Sequence, residues 1–258
     1  MPYVDLPGMR LWFEDSGGNH IPAIFLHAAS GTFESWVHQL PTFTQAGFRC
    51  ITYDRRGWGR SQPLETGDQP GRGSLDLHGL VDYLALDSFH LVATAAGGIV
   101  ALDYALTFQD RVRALVVANS IGGIQEPEYL EVQHRLRPFQ IQDLPIELRE
   151  VGPSYRGTNP EGTQRWVEIE RSSRQGDTHG PAQLLHNPMT YARLGTMCVP
   201  TLIISGGADL LSPPALMRMM ASHISGHQWA SIPEAGHAAF WEDPDTWNRL
   251  ALDFLADK

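Results

Sequence analysis

HLVATAAGG, residues 90–98, begins apolar and ends on Ala95-Ala96-Gly97-Gly98. With Phe89 it contains FHLVA (89–93), a run that reads as a strand buried on both faces. The small residues that follow suit a tight strand-to-helix turn, where side chains crowd the backbone. Working outward, similar runs recur at PAIFLH (22–27), FRCITYD (48–54), ALVVANS (114–120), PTLIISG (200–206) and HQWASIP (227–233). They are nearly continuous rather than alternating, which is the pattern of a parallel sheet covered by helices. PYVDL and RLWFED flank Pro7-Gly8 and read as an N-terminal hairpin.

Helical periods separate these runs. Leu77, Leu80, Val81 and Leu84 share one face behind Ser74 as the expected cap. Trp247, Leu250, Ala251, Phe254 and Leu255 share another, with Asp243 as N-cap and Pro244 at N1. Alternating strand and helix argues an α/β fold. Residues 121–196 interrupt the rhythm: they carry no strand pattern and hold helix-type stretches such as EYLEVQHRLRPF and GTQRWVEIERSSR. The expected division is a core of residues 1–120 and 197–258, with 121–196 a helical cap over the strand ends where ligands bind in open α/β sheets.

The 258 residues suit one large domain or one domain with an insert. Hydrophobic residues make up 42% and charged residues 19%, enough apolar material for a core. A net charge of -10 makes nucleic acid and anionic membranes poor partners. Lys258 is the only lysine, so a Schiff base has no candidate in the body of the chain. Cys50 and Cys198 read as buried thiols, not as a disulfide or metal framework. With no secretory signal pattern and no apolar run of about 18 residues, the expectation is a cytoplasmic protein. No metal-ligand spacing and no phosphate-cradling loop occur, so no cofactor or metal is expected.

Four segments in chain order carry a resemblance: FLHAASG (25–31), YDRRGWGRS (53–61), HLVATAAGG (90–98), and the pair GGADLLSPP (206–214) and PEAGHAAFWEDP (233–244). They resemble the oxyanion loop, the D-x-R-G-x-G-x-S loop, the nucleophile elbow, and the acid and histidine loops of the α/β-hydrolase family. The resemblance covers nearly the whole chain and is weakest in the cap. It implies a mostly parallel eight-stranded sheet with helices on both faces and a helical cap. By the same resemblance Asp209 stands at the triad acid and His237 at the triad histidine. A carboxylate there fixes the imidazole tautomer and supports the charge that forms on the ring. The oxyanion donors fall on the backbone N–H groups of Ala29 and Ala96. Asp54 and Arg56 match a loop that is structural in the family, and His27 reads as packing.

The elbow departs from the family pattern G-x-S-x-G, because Ala93-Thr94-Ala95-Ala96-Gly97 places Ala95 at the nucleophile position. A methyl group cannot attack a carbonyl. Thr94 is expected to point away from His237. Ser30 is a loop hydroxyl that can face the pocket, and both enter as candidate substrate-binding groups. In the cap, Arg135, Arg137 and Trp166 are the named candidates for lining the pocket, with His134, Arg156, His179 and His186 beside them. Cap arginines suit a carboxylate-bearing substrate.

Three readings fit these residues. The first is an enzyme on a small carbonyl compound (an ester, a lactone or a C–C bond) that uses a His/Asp dyad as general base, a backbone oxyanion hole and no serine, with lyase-like or other base-led chemistry open to the same site. The second is a serine hydrolase inactivated by a Ser-to-Ala change. The third is a ligand-binding protein that kept the pocket. Ala93 and Ala28 also replace family glycines, and these joint departures favour the first reading over the second.

Overall fold

The computed structural model describes residues 2–65, 70–173 and 184–258. Its strands are β1 (Tyr3–Leu6), β2 (Met9–Asp15), β3 (Ile21–Leu26), β4 (Phe48–Tyr53), β5 (Gln62–Pro63), β6 (Phe89–Thr94), β7 (Val112–Ala118), β8 (Thr201–Gly206) and β9 (Gln228–Ile232). Eight of them run in the order β1-β2-β4-β3-β6-β7-β8-β9. From β4 to β9 the pairing is parallel, and β1 and β2 form the antiparallel hairpin read around Pro7-Gly8. The two-residue β5, which sequence patterning missed, pairs with β2.

The helices are α1 (Leu40–Gln45), α2 (Gly73–Tyr83), α3 (Ala96–Thr107), α4 (Pro127–Leu136), α5 (Ile146–Glu150), α6 (Pro153–Thr158), α7 (Pro160–Ser173), α8 (Tyr191–Leu194), α9 (Pro214–Ala221), α10 (Ala239–Glu242) and α11 (Pro244–Leu255). They cover both faces of the sheet and so divide the core in two. One cluster packs Leu77, Leu80, Leu102 and Met217 beneath α2, α3 and α9. The other packs Trp36, Phe43, Trp247 and Phe254 around α1 and α11. Each large apolar side chain buried in this way contributes about 1.5–3 kcal/mol. Between residues 121 and 196 the described residues form helices and loops, with no strand among them.

Local details sort the sequence expectations. Asp243 caps α11 as read, its carboxylate accepting from Thr246 N at 3.1 Å. Ser74 does not cap α2: the helix begins one residue earlier, and the Ser74 hydroxyl donates to Asp103 across the core. Cys50 is buried, but Cys198 is exposed, because it lies in the turn before β8 rather than in the strand. The YDRRGWGRS loop is a buried clamp. Asp54 accepts from Phe33 N and Arg60 N, and Arg56 pairs with Asp76 of α2 at 2.5 Å. Gly59 sits at φ 51 against the Asp54 carboxylate, where any side chain would collide.

The parallel strands all deliver their C-terminal ends to one edge. The chain runs from β3 outward to β4 and then returns to β6 on the other side of β3, so the direction of winding reverses beside β3. The loops after β3 and β6 part there and leave a crevice, the place where open α/β sheets bind ligands.

Candidate active site

A cavity of about 270 Å³ lies at this edge. Ala29 and Ser30 enter it after β3, Ala95 and Ala96 after β6, Leu211 and Ser212 after β8, and His237 after β9. Arg137, Gln142, Arg149 and Glu150 close it from the helical segment above. A larger cleft of about 670 Å³, lined by Phe33, Tyr155 and Trp241 among others, contains neither Ala95, Asp209 nor His237.

Ala95 turns the chain from β6 into α3 at φ 50 and ψ -118, an unfavourable conformation for a residue with a Cβ. Its N–H donates to Ala118 O at 2.9 Å, and its carbonyl accepts from Gly98 N at 3.0 Å, which holds the turn. Gly97 is required where α3 crosses the end of β3, since a Cβ would strike the Leu26 and His27 carbonyls. Ala96 is the first residue of α3, so its N–H belongs to the turn that has no intrahelical acceptor. Opposite, Trp58 Nε1 donates to Ala29 O at 2.7 Å and fixes the loop after β3. His27 is part of that scaffold: its Nε2 accepts from Arg55 N, and burial holds its pKa well below the ordinary imidazole value.

His237 Nδ1 lies 2.9 and 3.0 Å from the two oxygens of Asp209. Asp209 Oδ1 accepts from Leu211 N and Ser212 N, both at 2.8 Å, and Oδ2 accepts from Asn119 Nδ2 at 2.9 Å. Asn119 stands at the end of β7 with φ 48 and also donates to Gly236 O, one residue before the histidine. The carboxylate is therefore oriented by three donors besides the imidazole. Burial opposes charge on both partners, yet the ion pair and its hydrogen bonds prevail, and the pKa of His237 is raised while that of Asp209 is lowered. With Nδ1–H committed to Asp209, Nε2 carries the lone pair that a general base needs.

Glu150, at the C-terminal end of α5, is 4% exposed. Trp166 Nε1 donates to its Oε2 at 3.1 Å. Burial raises its pKa, against the opposing pull of His237 and the Ser30 hydroxyl. Arg137 lines the cavity with its Nε buried and unpartnered among the described residues, and burial lowers its pKa.

Of the residues singled out in the sequence, the structure brings Ala29, Ser30, Ala95, Ala96, Arg137 and His237 to the cavity, with Asp209 directly behind the histidine. Others fall elsewhere. Thr94 is fully buried beneath the turn, because alternation along β6 points it to the opposite side from Ala95. Arg135 sits on the outer face of α4 in an exposed pair with Glu131. Trp166 lies behind Glu150 rather than in the cavity wall. His134 and His186 are exposed. Arg156 donates to carbonyls of Glu147 and Val151. His179 lies outside the described residues. Asn119, Gln142, Arg149 and Glu150 escaped the sequence reading. Among the described residues, no group of three or more His, Cys, Asp or Glu side chains is placed to hold a metal ion. No helix there is long and apolar enough to cross a membrane.

A family model described as alpha/beta hydrolase fold matches residues 22–244. A 2-hydroxy-6-oxononadienedioate/2-hydroxy-6-oxononatrienedioate hydrolase of Pseudomonas putida is 28% identical, over 96% of this chain and 92% of that relative. The malate-bound thermophilic esterase of Thermogutta terrifontis superposes with a TM-score of 0.81 at 25% identity, covering 99% of this chain and 98% of the esterase. The enol-lactonase of Burkholderia xenovorans LB400 superposes with a TM-score of 0.79 at 22% identity, over 99% of this chain and 100% of the lactonase.

Proposed function

Because the chain belongs to the α/β-hydrolase fold family, we propose that it hydrolyses a small carbonyl compound by base-catalysed attack of water, with no acyl-enzyme. The observation that carries this reading is the shared cavity. The buried His237–Asp209 pair and the Ala96 N–H at the start of α3 stand around an elbow whose tip is a methyl group. His237 Nε2 takes a proton from water, the water oxygen adds to the carbonyl, and the N–H groups of Ala29 and Ala96 hold the oxyanion. Each such donor is worth about 2.7–4 kcal/mol in the transition state. The methyl of Ala95 leaves room where a serine oxygen would stand, which is the space the attacking water needs.

The candidate bonds are those of an ester or a lactone, as in the esterase and the enol-lactonase this chain resembles, or a ketone C–C link in an oxo-dioate of the kind named for the Pseudomonas putida hydrolase. Arg137 and Arg149 in the cavity wall favour a substrate carrying a carboxylate. Both arginines bury an Nε that no hydrogen bond among the described residues satisfies, but Arg149 also donates to Gln142 O at 3.0 Å and stands 4.0 Å from the Glu150 carboxyl, which makes Arg137 the stronger carboxylate candidate.

Two measurements test this reading. A fluorophosphonate probe is expected to leave the protein unmodified by intact mass. Thr94 is buried beneath the turn, and the Ser212 hydroxyl is engaged with Asn119 O at 2.8 Å. A stoichiometric adduct on Ser30 would establish a serine nucleophile and overturn the water mechanism. Second, Arg137→Met is expected to raise KM about tenfold or more for carboxylate-bearing substrates and to leave neutral esters within twofold, since a charge-assisted hydrogen bond is worth about 1.5–3 kcal/mol. Equal effects on both classes would remove Arg137 from substrate binding.

A further inference from the structure

Hydrolysis moves two protons. One leaves the attacking water, and another must reach the departing atom. We propose that Glu150 and His237 form an acid–base pair across the cavity that shares a single proton, with Glu150 as the general acid that protonates the leaving group. The inference rests on the water mechanism above and adds a second catalytic residue to it.

Placement carries the argument. Glu150 lies in the cavity wall with His237, nine-tenths or more removed from solvent, on the side formed by the helical segment. Its backbone carbonyl accepts from Ala238 N at 3.0 Å, which ties α5 to the residue after the histidine. Trp166 Nε1 holds Oε2 at 3.1 Å, so the carboxyl is oriented rather than free to swing. On its own helix, Arg149 Nε stands 4.0 Å from Oε1 in an ion pair that favours the carboxylate and works against the burial that raises the Glu150 pKa. The Ser30 hydroxyl approaches from the loop after β3. On the far side, the imidazole feels Glu150, Asp209 and Arg137 together. Each member of the pair shifts the other, with Glu150 raising His237 and His237 lowering Glu150. Groups coupled in this way release their protons in two steps that belong to the pair.

The bonds balance with one proton on the pair. The water O–H breaks as His237 Nε2–H forms, and the water oxygen bonds to the carbonyl carbon. As the tetrahedral intermediate collapses, the bond to the leaving atom breaks and that atom takes the Glu150 carboxyl proton. The proton on His237 then passes to the Glu150 carboxylate and restores the starting state. One water is consumed overall. With two protons on the pair there is no base, with none there is no acid, and of the two one-proton forms only the one that carries the proton on Glu150 and leaves His237 neutral is active, so kcat/KM is bell-shaped in pH and its height follows the share of that form.

Glu150→Gln tests this, because the amide keeps the shape and an acceptor for Trp166. A phenolate leaving group departs unaided, whereas an alkoxide or carbanion needs the acid. The expected result is a loss of about 10²–10⁴-fold on alkyl esters or C–C substrates, and a change within about threefold on 4-nitrophenyl esters. The alkaline limb of the profile disappears. NMR titration of the His237 ring in the same variant shows its pKa moved downward, and this readout needs no turnover. Equal loss on both leaving-group classes, or an unmoved His237 titration, overturns the pairing. Turnover that survives His237→Ala overturns the underlying water mechanism instead. Glu150→Asp, which keeps an acid at a shorter reach, recovers part of the alkyl-ester rate, and thermal unfolding of both variants separates misfolding from lost chemistry.

Discussion

Replacing His237 with alanine lowers turnover by about 10²–10⁴-fold, the range of a general base, and Asp209→Asn costs nearly as much. The second effect follows from the hydrogen bonds already spoken for. Oδ1 of Asp209 accepts from the backbone N–H groups of Leu211 and Ser212, so the oxygen of an asparagine must take that place. Its NH2 then occupies the position of Oδ2, facing the Nδ2 donor of Asn119 and Nδ1 of His237. Donor meets donor on one side. On the other, the imidazole must accept at Nδ1, which moves its proton to Nε2 and leaves no lone pair toward the cavity. Turnover of an ester or ketone substrate by the two variants checks this, and near-normal rates in either would place the chemistry elsewhere.

The dyad also sets a pH dependence. A base acts when deprotonated, and the pKa of His237 is raised, so the rising limb of kcat/KM lies above the ordinary imidazole value of 6.5. For stability the signs differ between the partners. The contribution of His237 is complete below 6.5 and is lost as pH rises through its elevated pKa. That of Asp209 is complete above 3.8 and is lost as pH falls through its depressed pKa. The pair therefore stabilises the fold most between those values, below the pH at which the base is fully available.

The sheet was legible because burial on both faces writes a continuous apolar run, as in PTLIISG, where every residue of β8 is buried. HQWASIP is weaker for a physical reason: β9 lies at the sheet edge, and only Ile232 of its five residues is buried. The elbow, the acid and the histidine were legible through short motifs, since each needs particular residues in one tight turn. Asn119 carries no such mark. Its role arises from a left-handed backbone at the end of β7 and from a partner 90 residues away. Glu150 is similar, a glutamate in a short helix whose oxygen is held by a tryptophan 16 residues on. Arg135 and Arg137 looked alike in EYLEVQHRLRPF. α4 ends between them, and only the residue beyond the helix turns inward.

Ala95→Ser is expected to turn the site into a serine esterase on activated esters. The elbow already has the required backbone, since Ala95 holds φ 50 with a Cβ in place and a hydroxyl adds one atom. Ala93, which replaces a family glycine, does not disturb the approach to the turn: it pairs in regular register with Leu26 of β3 and Val117 of β7. The second departure, Ala28, lies in the loop that supplies the Ala29 donor, and that loop is the part left to misplacement. An assembled triad is worth about 10⁶ in kcat as a unit, and a displacement of about 1 Å costs about a hundredfold. One displaced loop therefore leaves an expected gain of about 10⁴ over the parent chain on 4-nitrophenyl esters. The new hydroxyl should also react with a fluorophosphonate that leaves the parent untouched. Gains nearer 10⁶ would mean that Ala28 displaces nothing and that the serine is the sole missing part. A folded variant that neither labels nor cleaves would mean that His237 Nε2 does not reach the tip of the elbow, and the base would then have to serve a substrate atom placed deeper in the cavity.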